Sequence, residues 1–167
     1  MFRHLLAVTA LLAPLHPAAA QAAPVTVFVV RHAEKGPEPN DPPLSAEGQA
    51  RASALARVLM DANVTAFFAT EFKRTRQTVS PLAAGVQGIP TLIPAVRTDS
   101  LVGRLRALPP GTRALVASHS NLVHVIVERL SGVRIPPLTD LEYDRLVVVT
   151  LGADGKGEAV VLRYGQP

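Results

Sequence analysis

The chain has 167 residues, a formal net charge of +4 and no cysteine. This length fits a single domain with a sizeable core, and a disulfide framework is excluded. Aromatic residues make up only 4% of the chain and no clustered run of basic residues occurs, so nucleic-acid binding is disfavoured, whereas the positive charge permits a small anionic substrate.

The N-terminal segment has the layout of a secretory signal peptide. An early arginine precedes an apolar core over residues 5–15, and small residues follow it. This layout predicts a leader over residues 1–22, cleaved after Ala20 or Ala22. The apolar core is too short to span a bilayer comfortably. We expect a periplasmic or secreted protein with no stable membrane insertion after leader removal, and a mature domain over residues 23–167.

An apolar, β-branched run over residues 25–30 ends abruptly in charged residues, beginning with Arg31 and His32. An uninterrupted run of this kind is typical of a strand that is buried on both faces of a parallel sheet. Ligands of open α/β sheets bind at the carboxyl ends of such strands. We therefore expect Arg31 and His32 at the bottom of a cleft. The alternative is that they are merely the first solvated residues after a strand.

The rest of the chain alternates between predicted helices and strands. In order these are helix 46–61 with Ser45 as N-cap, strand 64–69, helix 73–84 weakened at Pro81, strand 91–94, helix 100–108, a strand from residue 113 that ends in His119, helix 122–130, and two edge strands over 140–150 and 157–164. Strand, helix and strand in succession favour right-handed crossovers and a parallel sheet. With no internal repeat or second domain, the sequence predicts one α/β domain.

Two further predicted strands also run into polar residues. Arg74 opens the helix after the second strand, and His119 follows a later strand together with Ser120 and Asn121. Parallel strands place these ends on one edge of the sheet. Two arginines and two histidines there would suit a phosphate dianion, because the arginine fork matches its oxygens. A neutral histidine can also attack phosphorus.

Four other polar residues are expected to lie outside this pocket. Lys73 and Arg76 point away from it on their helix, and Arg51 is interpreted as an exposed helix residue, although it could lean toward the cleft. His124 lies among apolar neighbours inside a helix, which favours a packed structural histidine.

Four motifs resemble those of the histidine phosphatase (phosphoglycerate mutase-like) superfamily, in the order of that family. They are Arg31-His32-Ala33-Glu34, Leu44-Ser45-Ala46-Glu47-Gly48, Arg74-Thr75-Arg76-Gln77-Thr78 and Ser118-His119-Ser120-Asn121. The resemblance covers nearly the whole mature chain and implies a three-layer α/β/α fold with a mostly parallel central sheet. It also implies a phosphohistidine intermediate on His32, with Arg31, Arg74 and His119 clamping the phosphoryl oxygens. The short chain is similar in size to the bacterial phosphohistidine phosphatases, and its leader marks it as an exported type.

The proton donor of such a reaction is the open point. In the mutase branch of the family, a glutamate after the second arginine protonates the leaving oxygen, but no acidic residue lies between Val79 and Thr98 here. Asp99 and, alternatively, Glu34 are the nearest candidates. His119 is expected to be protonated, and a backbone carbonyl is expected to fix the tautomer of His32.

The sequence thus predicts a phosphatase that hydrolyses a small phosphomonoester or a phosphoramidate without a metal or other cofactor. Export disfavours cytoplasmic phosphorelay proteins as its substrates. A non-catalytic phosphate-binding module that uses the same pocket is the alternative. A metal site of His32, Glu34, His119 and perhaps His124 is less favoured, because the two arginines would repel a cation.

Overall fold

A computed structural model describes residues 22–166, so all of the predicted leader except Ala22 lies outside the described residues. Six strands and four α-helices follow one another, with a short 3₁₀ helix at Ala95–Arg97: β1 (Val25–Arg31), α1 (Ala46–Leu59), β2 (Ala66–Ala69), α2 (Lys73–Gly85), β3 (Thr91–Leu92), α3 (Thr98–Arg106), β4 (Arg113–Ser118), α4 (Ser120–Ser131), β5 (Arg145–Leu151) and β6 (Gly157–Arg163). Within residues 22–166, no helix combines the length and apolar character needed to cross a membrane.

The strands form a single mixed sheet in the order β3-β2-β4-β1-β5-β6. The first four in this order are parallel, whereas β5 pairs antiparallel with β1 and β6 pairs antiparallel with β5. Helices flank both faces of the sheet. The predicted three-layer, mostly parallel α/β fold is confirmed.

The core lies on both sides of β1. Val27 and Val29 belong to an apolar cluster that includes α3 and α4, whereas Phe28 and Val30 belong to a cluster that includes α1 and α2. Since alternate side chains of a strand point to opposite faces, a strand buried on both faces must be apolar at every position. This explains the uninterrupted apolar run in the sequence.

The prediction of two edge strands near the C-terminus is wrong for the first of them. β5 is paired on both sides, by β1 and β6, so only β6 lies at the edge. The predicted strand also begins too early, because residues 140–144 form a loop ahead of β5. β5 lies inside the sheet because it pairs with β1, which is more than a hundred residues earlier in the chain. The local sequence does not encode such a long-range pairing.

Parallel pairing brings the carboxyl ends of β1 and β4 together, because Arg31 is directly opposite Ser118 in the register. β2 flanks β4 on its other side and ends at the same edge. α2 and α4 begin directly beyond these strands. Helix α4 starts at Ser120, two residues before the predicted start, which places Ser120 and Asn121 in its first turn.

Candidate active site

His32 follows the last residue of β1. Its backbone N–H donates to the Ser118 carbonyl at 2.8 Å and so extends the pairing with β4. The imidazole is buried, and its Nδ1 lies 2.8 Å from the Ala33 carbonyl oxygen. Because a carbonyl oxygen only accepts, Nδ1 of the neutral ring carries the proton and Nε2 keeps its lone pair. The structure thus supplies the backbone carbonyl expected for fixing this tautomer.

The surroundings of His32 keep its ring neutral. The pKa of His32 is lowered to about 3, mainly by burial and against the opposing effect of the Ala33 carbonyl. Electrostatic repulsion by Arg74, His119 and Arg31 contributes to this lowering in decreasing order. Near neutral pH, the imidazole therefore has a free lone pair on Nε2, which is the state that a nucleophile needs.

Helix α2 holds the peptide that fixes His32. The hydroxyl of Thr78 accepts from the Ala33 N–H at 2.9 Å and donates to the Arg74 carbonyl at 2.8 Å. From the opposite side, Gly48 of α1 lies so close to the loop that a Cβ there would be 2.1 Å from the Glu34 carbonyl oxygen. The loop after β1 is thus held between two helices.

Arg31 is buried at the end of β1, and its guanidinium is fixed by the loop ahead of β5. Nη1 donates to the carbonyl oxygens of Thr139, Asp140 and Glu142 at 3.0–3.1 Å. The guanidinium carbon lies 3.8 Å from the centre of the Tyr143 ring. Nε is buried and has no hydrogen-bond partner within residues 22–166. One side of the fork is therefore fixed, and the remaining N–H groups are available to an anion.

Arg74 lies in the first turn of α2 and is partly buried. Its guanidinium lies 4.3 Å from the centre of the Phe72 ring. Its Nε, like that of Arg31, is a buried atom without a partner in the described part of the chain. Buried donors normally find acceptors, because an unpaired one costs free energy. Two such donors in one pocket indicate that an external acceptor belongs there.

His119 is the N-cap residue of α4, and its ring is almost fully buried. The ring centre lies 5.4 Å from that of His32 and 5.3 Å from that of Phe72. Nε2 lies 3.1 Å from the hydroxyl oxygen of Thr70, the residue that follows β2. The two histidines of the motifs are therefore neighbours.

The surroundings of His119 favour its neutral form in the ligand-free site. The pKa of His119 is lowered to about 4, first by burial and then by the positive charge of Arg74. The Glu71 carboxylate opposes this effect, and Arg31 adds a smaller one in the lowering direction. The expected protonation of His119 concerns the substrate-bound site and stays a prediction.

All six predicted nucleophile and phosphate-binding residues line one pocket of about 510 Å³: Arg31, His32, Arg74, His119, Ser120 and Asn121. A volume of this order suits a small-molecule ligand. Lys35, Phe72, Val96 and Asp140 complete the rim. The N–H groups of Ser120 and Asn121, the first two residues of α4, have no partners within the helix, so they add to the affinity of the pocket for an anion.

Glu34, the alternative proton donor, faces a different groove. Its carboxylate accepts from Arg51 at 2.7 Å, and both line a groove between α1 and the C-terminal segment. Arg51 also donates to the carbonyls of Tyr164 and Gln166, so its side chain is only 10% exposed. Both expectations are thus corrected: Arg51 is not an exposed helix residue, and Glu34 does not line the pocket of His32.

Asp99, the tentative proton donor, is also excluded from the pocket. Its side chain is 86% exposed and forms an ion pair with Arg129, in the last turn of α4. His119 is at the opposite end of that helix. The pairing of α3 with α4 therefore holds Asp99 away from the histidines.

The other expectations concern residues outside the pocket. Lys73 and Arg76 are exposed, as predicted. His124 is partly buried on α4 and does not line the pocket. Within residues 22–166, no group of three or more His, Asp or Glu side chains is arranged to hold a metal ion.

Three buried threonines that hold the two histidines were not predicted from the sequence: Thr70, Thr75 and Thr78. Two of them lie in the third motif, and all three are at most 4% exposed. Polar side chains in the first turns of a helix that follows a buried strand were the available signal. This pattern could not reveal the hydrogen-bond partners of the threonines, since the partners lie in other parts of the chain.

The fold and the pocket define an α/β protein of the phosphoglycerate mutase-like class, and comparison with solved structures agrees. The structure of the protein histidine phosphatase SixA complexed with tungstate is 21% identical, covers 83% of this chain and 96% of its own, and superposes with a TM-score of 0.69. A putative SixA from Nakamurella multipartitia is 20% identical over 88% of this chain and 98% of its own (TM-score 0.65). A phosphoglycerate mutase from Plasmodium falciparum is 14% identical over 87% and 95% (TM-score 0.64).

The sequence comparison narrows this class. Residues 27–95 match the family model of the histidine phosphatase superfamily (branch 1). No curated protein matches the chain significantly. Over these residues the chain is similar to branch 1 of the histidine phosphatase superfamily, and its fold agrees with that similarity.

Proposed function

We propose that this protein is a phosphatase that hydrolyses a phosphomonoester or a phosphoramidate through a phosphohistidine intermediate on His32. The observation that carries the proposal is the hydrogen bond from Nδ1 of His32 to the Ala33 carbonyl. It leaves Nε2 unprotonated in a pocket that Arg31 and Arg74 also line. The similarity to a histidine phosphatase that binds tungstate supports an oxyanion as the ligand.

In the proposed reaction, Nε2 of His32 attacks the phosphorus atom and the bond to the leaving oxygen breaks. Charge on the equatorial oxygens is stabilised by Arg31 and Arg74, whose buried Nε atoms have no hydrogen-bond partner among residues 22–166. Water then attacks the phosphohistidine and releases phosphate. No step of this mechanism requires a metal ion or another cofactor.

The positions of Glu34 and Asp99 bear on the substrate class. With neither carboxyl group in the pocket, we expect good leaving groups, such as those of phosphoramidates or aryl phosphates, to be hydrolysed faster than alkyl phosphates. The predicted leader further favours a small or envelope-associated substrate outside the cytoplasm.

Hydrolysis of p-nitrophenyl phosphate by the purified protein, with and without EDTA, tests the proposal. We expect steady turnover that EDTA leaves unchanged, and an acid-labile phosphoenzyme after rapid quenching. His32→Ala should abolish both signals, whereas His124→Gln, a change outside the pocket, should preserve them. A phosphoenzyme of undiminished yield in His32→Ala would refute the assignment of the nucleophile.

A non-catalytic phosphate-binding module remains the second candidate, because neither expected carboxyl donor lines the pocket. Such a protein would bind tungstate or phosphate with the same arginines but would not turn over p-nitrophenyl phosphate. Binding that depends on Arg74, without any hydrolysis, would favour this candidate over the phosphatase.

A further inference from the structure

Two buried threonine hydroxyls form a chain behind His119. Thr70, which is 4% exposed, has its Oγ1 3.1 Å from Nε2 of His119 and 2.9 Å from Oγ1 of Thr75. Thr75 is fully buried, and its Oγ1 also lies 2.8 Å from the Phe72 carbonyl oxygen and 3.1 Å from the Thr70 backbone nitrogen. His119 is thus hydrogen-bonded to a fixed element of the scaffold.

The direction of each hydrogen bond follows from the number of protons available. The hydroxyl of Thr75 has two carbonyl acceptors, that of Phe72 at 2.8 Å and that of Thr70 at 3.3 Å, so we infer that its single proton is donated to a carbonyl. The hydroxyl of Thr70 must then donate to Oγ1 of Thr75. The remaining contact requires Nε2–H of His119 to donate to Thr70. The lone pair of the neutral ring is therefore on Nδ1.

The charges around His119 allow its ring to accept a proton from an anionic ligand. The groups that act on its ring are Arg74 of α2, Arg31 of β1 and the Glu71 carboxylate in the loop after β2. His32, itself neutral, is the neighbouring imidazole in the pocket. The Glu71 carboxylate accepts from the Ala95 N–H at 2.9 Å and does not line the pocket. Among residues 22–166, Asp140 at the rim is thus the one carboxylate that lines the pocket of His119.

We propose that Thr70, backed by Thr75, is a positioning residue that sets the tautomer of His119, so that Nδ1 of His119 carries the proton for the leaving group. The inference rests on the proposed phosphatase function. It gives the pocket a proton donor in place of Glu34 and Asp99.

The proton balance closes over one turnover. A substrate monoanion transfers its proton to Nδ1 of His119 on binding and becomes a dianion. As the N–P bond to His32 forms and the P–O bond breaks, that proton moves to the leaving oxygen. Water then attacks phosphorus, the N–P bond breaks, and the proton of water returns to Nδ1. The product leaves as the hydrogen phosphate dianion. His119 then releases its proton to solution, where phosphate reaches its protonation equilibrium.

The tautomer is measured directly by ¹⁵N NMR of the histidine ring, without any substrate. In the wild-type protein we expect His119 in the Nε2–H form at neutral pH. Thr70→Val should shift the ring toward a mixture of tautomers, and Thr70→Ser, which retains the hydroxyl, should restore the wild-type spectrum. Thr26→Val, at the opposite end of β1, is the matched control and should leave the spectrum unchanged.

Kinetics separate a proton donor from a phosphate clamp. If His119 protonates the leaving oxygen, Thr70→Val should lower kcat about tenfold for an alkyl phosphate, since one hydrogen bond is lost, and less for p-nitrophenyl phosphate. Thr70→Ser should recover both rates. Equal losses for the two substrates, or an Nδ1–H tautomer in the wild-type protein, would overturn the inference.

The two proposals fail in distinguishable ways. A wild-type protein that hydrolyses neither a phosphate ester nor a phosphoramidate would refute the phosphatase, and the kinetic part of the inference with it. The expected ring spectrum would still establish the positioning role of Thr70. Turnover with an unperturbed His119 spectrum in Thr70→Val would retain the phosphatase and refute the role of Thr70.

Discussion

Replacing Arg74 with alanine removes one guanidinium from the pocket without touching either histidine. Arg76 lies two residues further along the same helix and is exposed. Arg76→Ala is therefore a matched control for helix propensity and for net charge. The pair of variants separates the local effect of a charge in the pocket from a general effect of positive charge on the protein.

The magnitude follows from the contacts of Arg74. Loss of one donor that stabilises transition-state charge costs about 2.7–4 kcal/mol, which corresponds to a decrease in kcat of about 10²–10³. The stability cost should be small, because the contact with Phe72 is worth about 0.5–1 kcal/mol. For a chain of this size, that is a decrease in Tm of about 1–4 °C.

The same substitution has a second, independent effect. The positive charge of Arg74 contributes to the lowered pKa values of His32 and His119. Its removal should therefore raise both pKa values, while burial keeps them below that of a free histidine. NMR titration of the ring protons measures this change without any turnover.

Steady-state hydrolysis of p-nitrophenyl phosphate is the kinetic assay, with thermal unfolding measured on the same samples. Arg76→Ala should match the wild-type protein in all three measurements. Equal rates for Arg74→Ala and Arg76→Ala, with Arg74→Ala folded, would show that Arg74 is not part of a catalytic clamp. Unchanged histidine pKa values would contradict the geometry of the pocket itself.

Three further predictions concern stability and export. Since the pKa values of His32 and His119 are about 3 and 4 in the folded state and about 6.5 unfolded, the unfolded chain binds more protons between pH 4 and 6.5. The free energy of unfolding should therefore decrease as the pH is lowered from 6.5 to 4, by up to about 1.4 kcal/mol per unit for each histidine; urea unfolding should show a shallower slope in either His→Gln variant. Gly48→Ala should lower Tm, because its Cβ would meet the Glu34 carbonyl at 2.1 Å, whereas Gly103→Ala, with no atom within 4 Å, should not; equal Tm values would contradict the packing. The predicted leader should direct a fused reporter into the periplasm, and a cytoplasmic reporter would refute export.

The sequence alone predicts those site residues whose position and function are connected by one physical rule. The apolar run of β1 indicates burial on both faces, and parallel strands must end on a common edge. These two facts bring Arg31 and His32 toward Arg74 and His119, as the structure shows. No information on side-chain direction was needed, because the pocket lies at the backbone ends of the strands.

The proton donor could not be predicted in this way. Glu34 lies two residues after His32 in the sequence, but its direction is set by Arg51 of α1 and by carbonyls near the C-terminus. Asp99 is held by Arg129, thirty residues away. Both outcomes depend on long-range ion pairs that leave no local pattern in the sequence.

The protonation state of His119 follows from the other charges of the pocket. Two guanidiniums already lie close to the two imidazoles, and little solvent screens them. A protonated His119 would add a third positive charge with no carboxylate in the pocket, apart from Asp140 at the rim, to balance it. A bound phosphate group supplies two negative charges and removes that penalty. Protonation of His119 is therefore coupled to ligand binding. Tungstate binding should be accompanied by uptake of a proton in the wild-type protein and by less proton uptake in His119→Gln. Calorimetry in buffers of different ionisation enthalpy counts that proton, and equal counts in the two proteins would place it elsewhere.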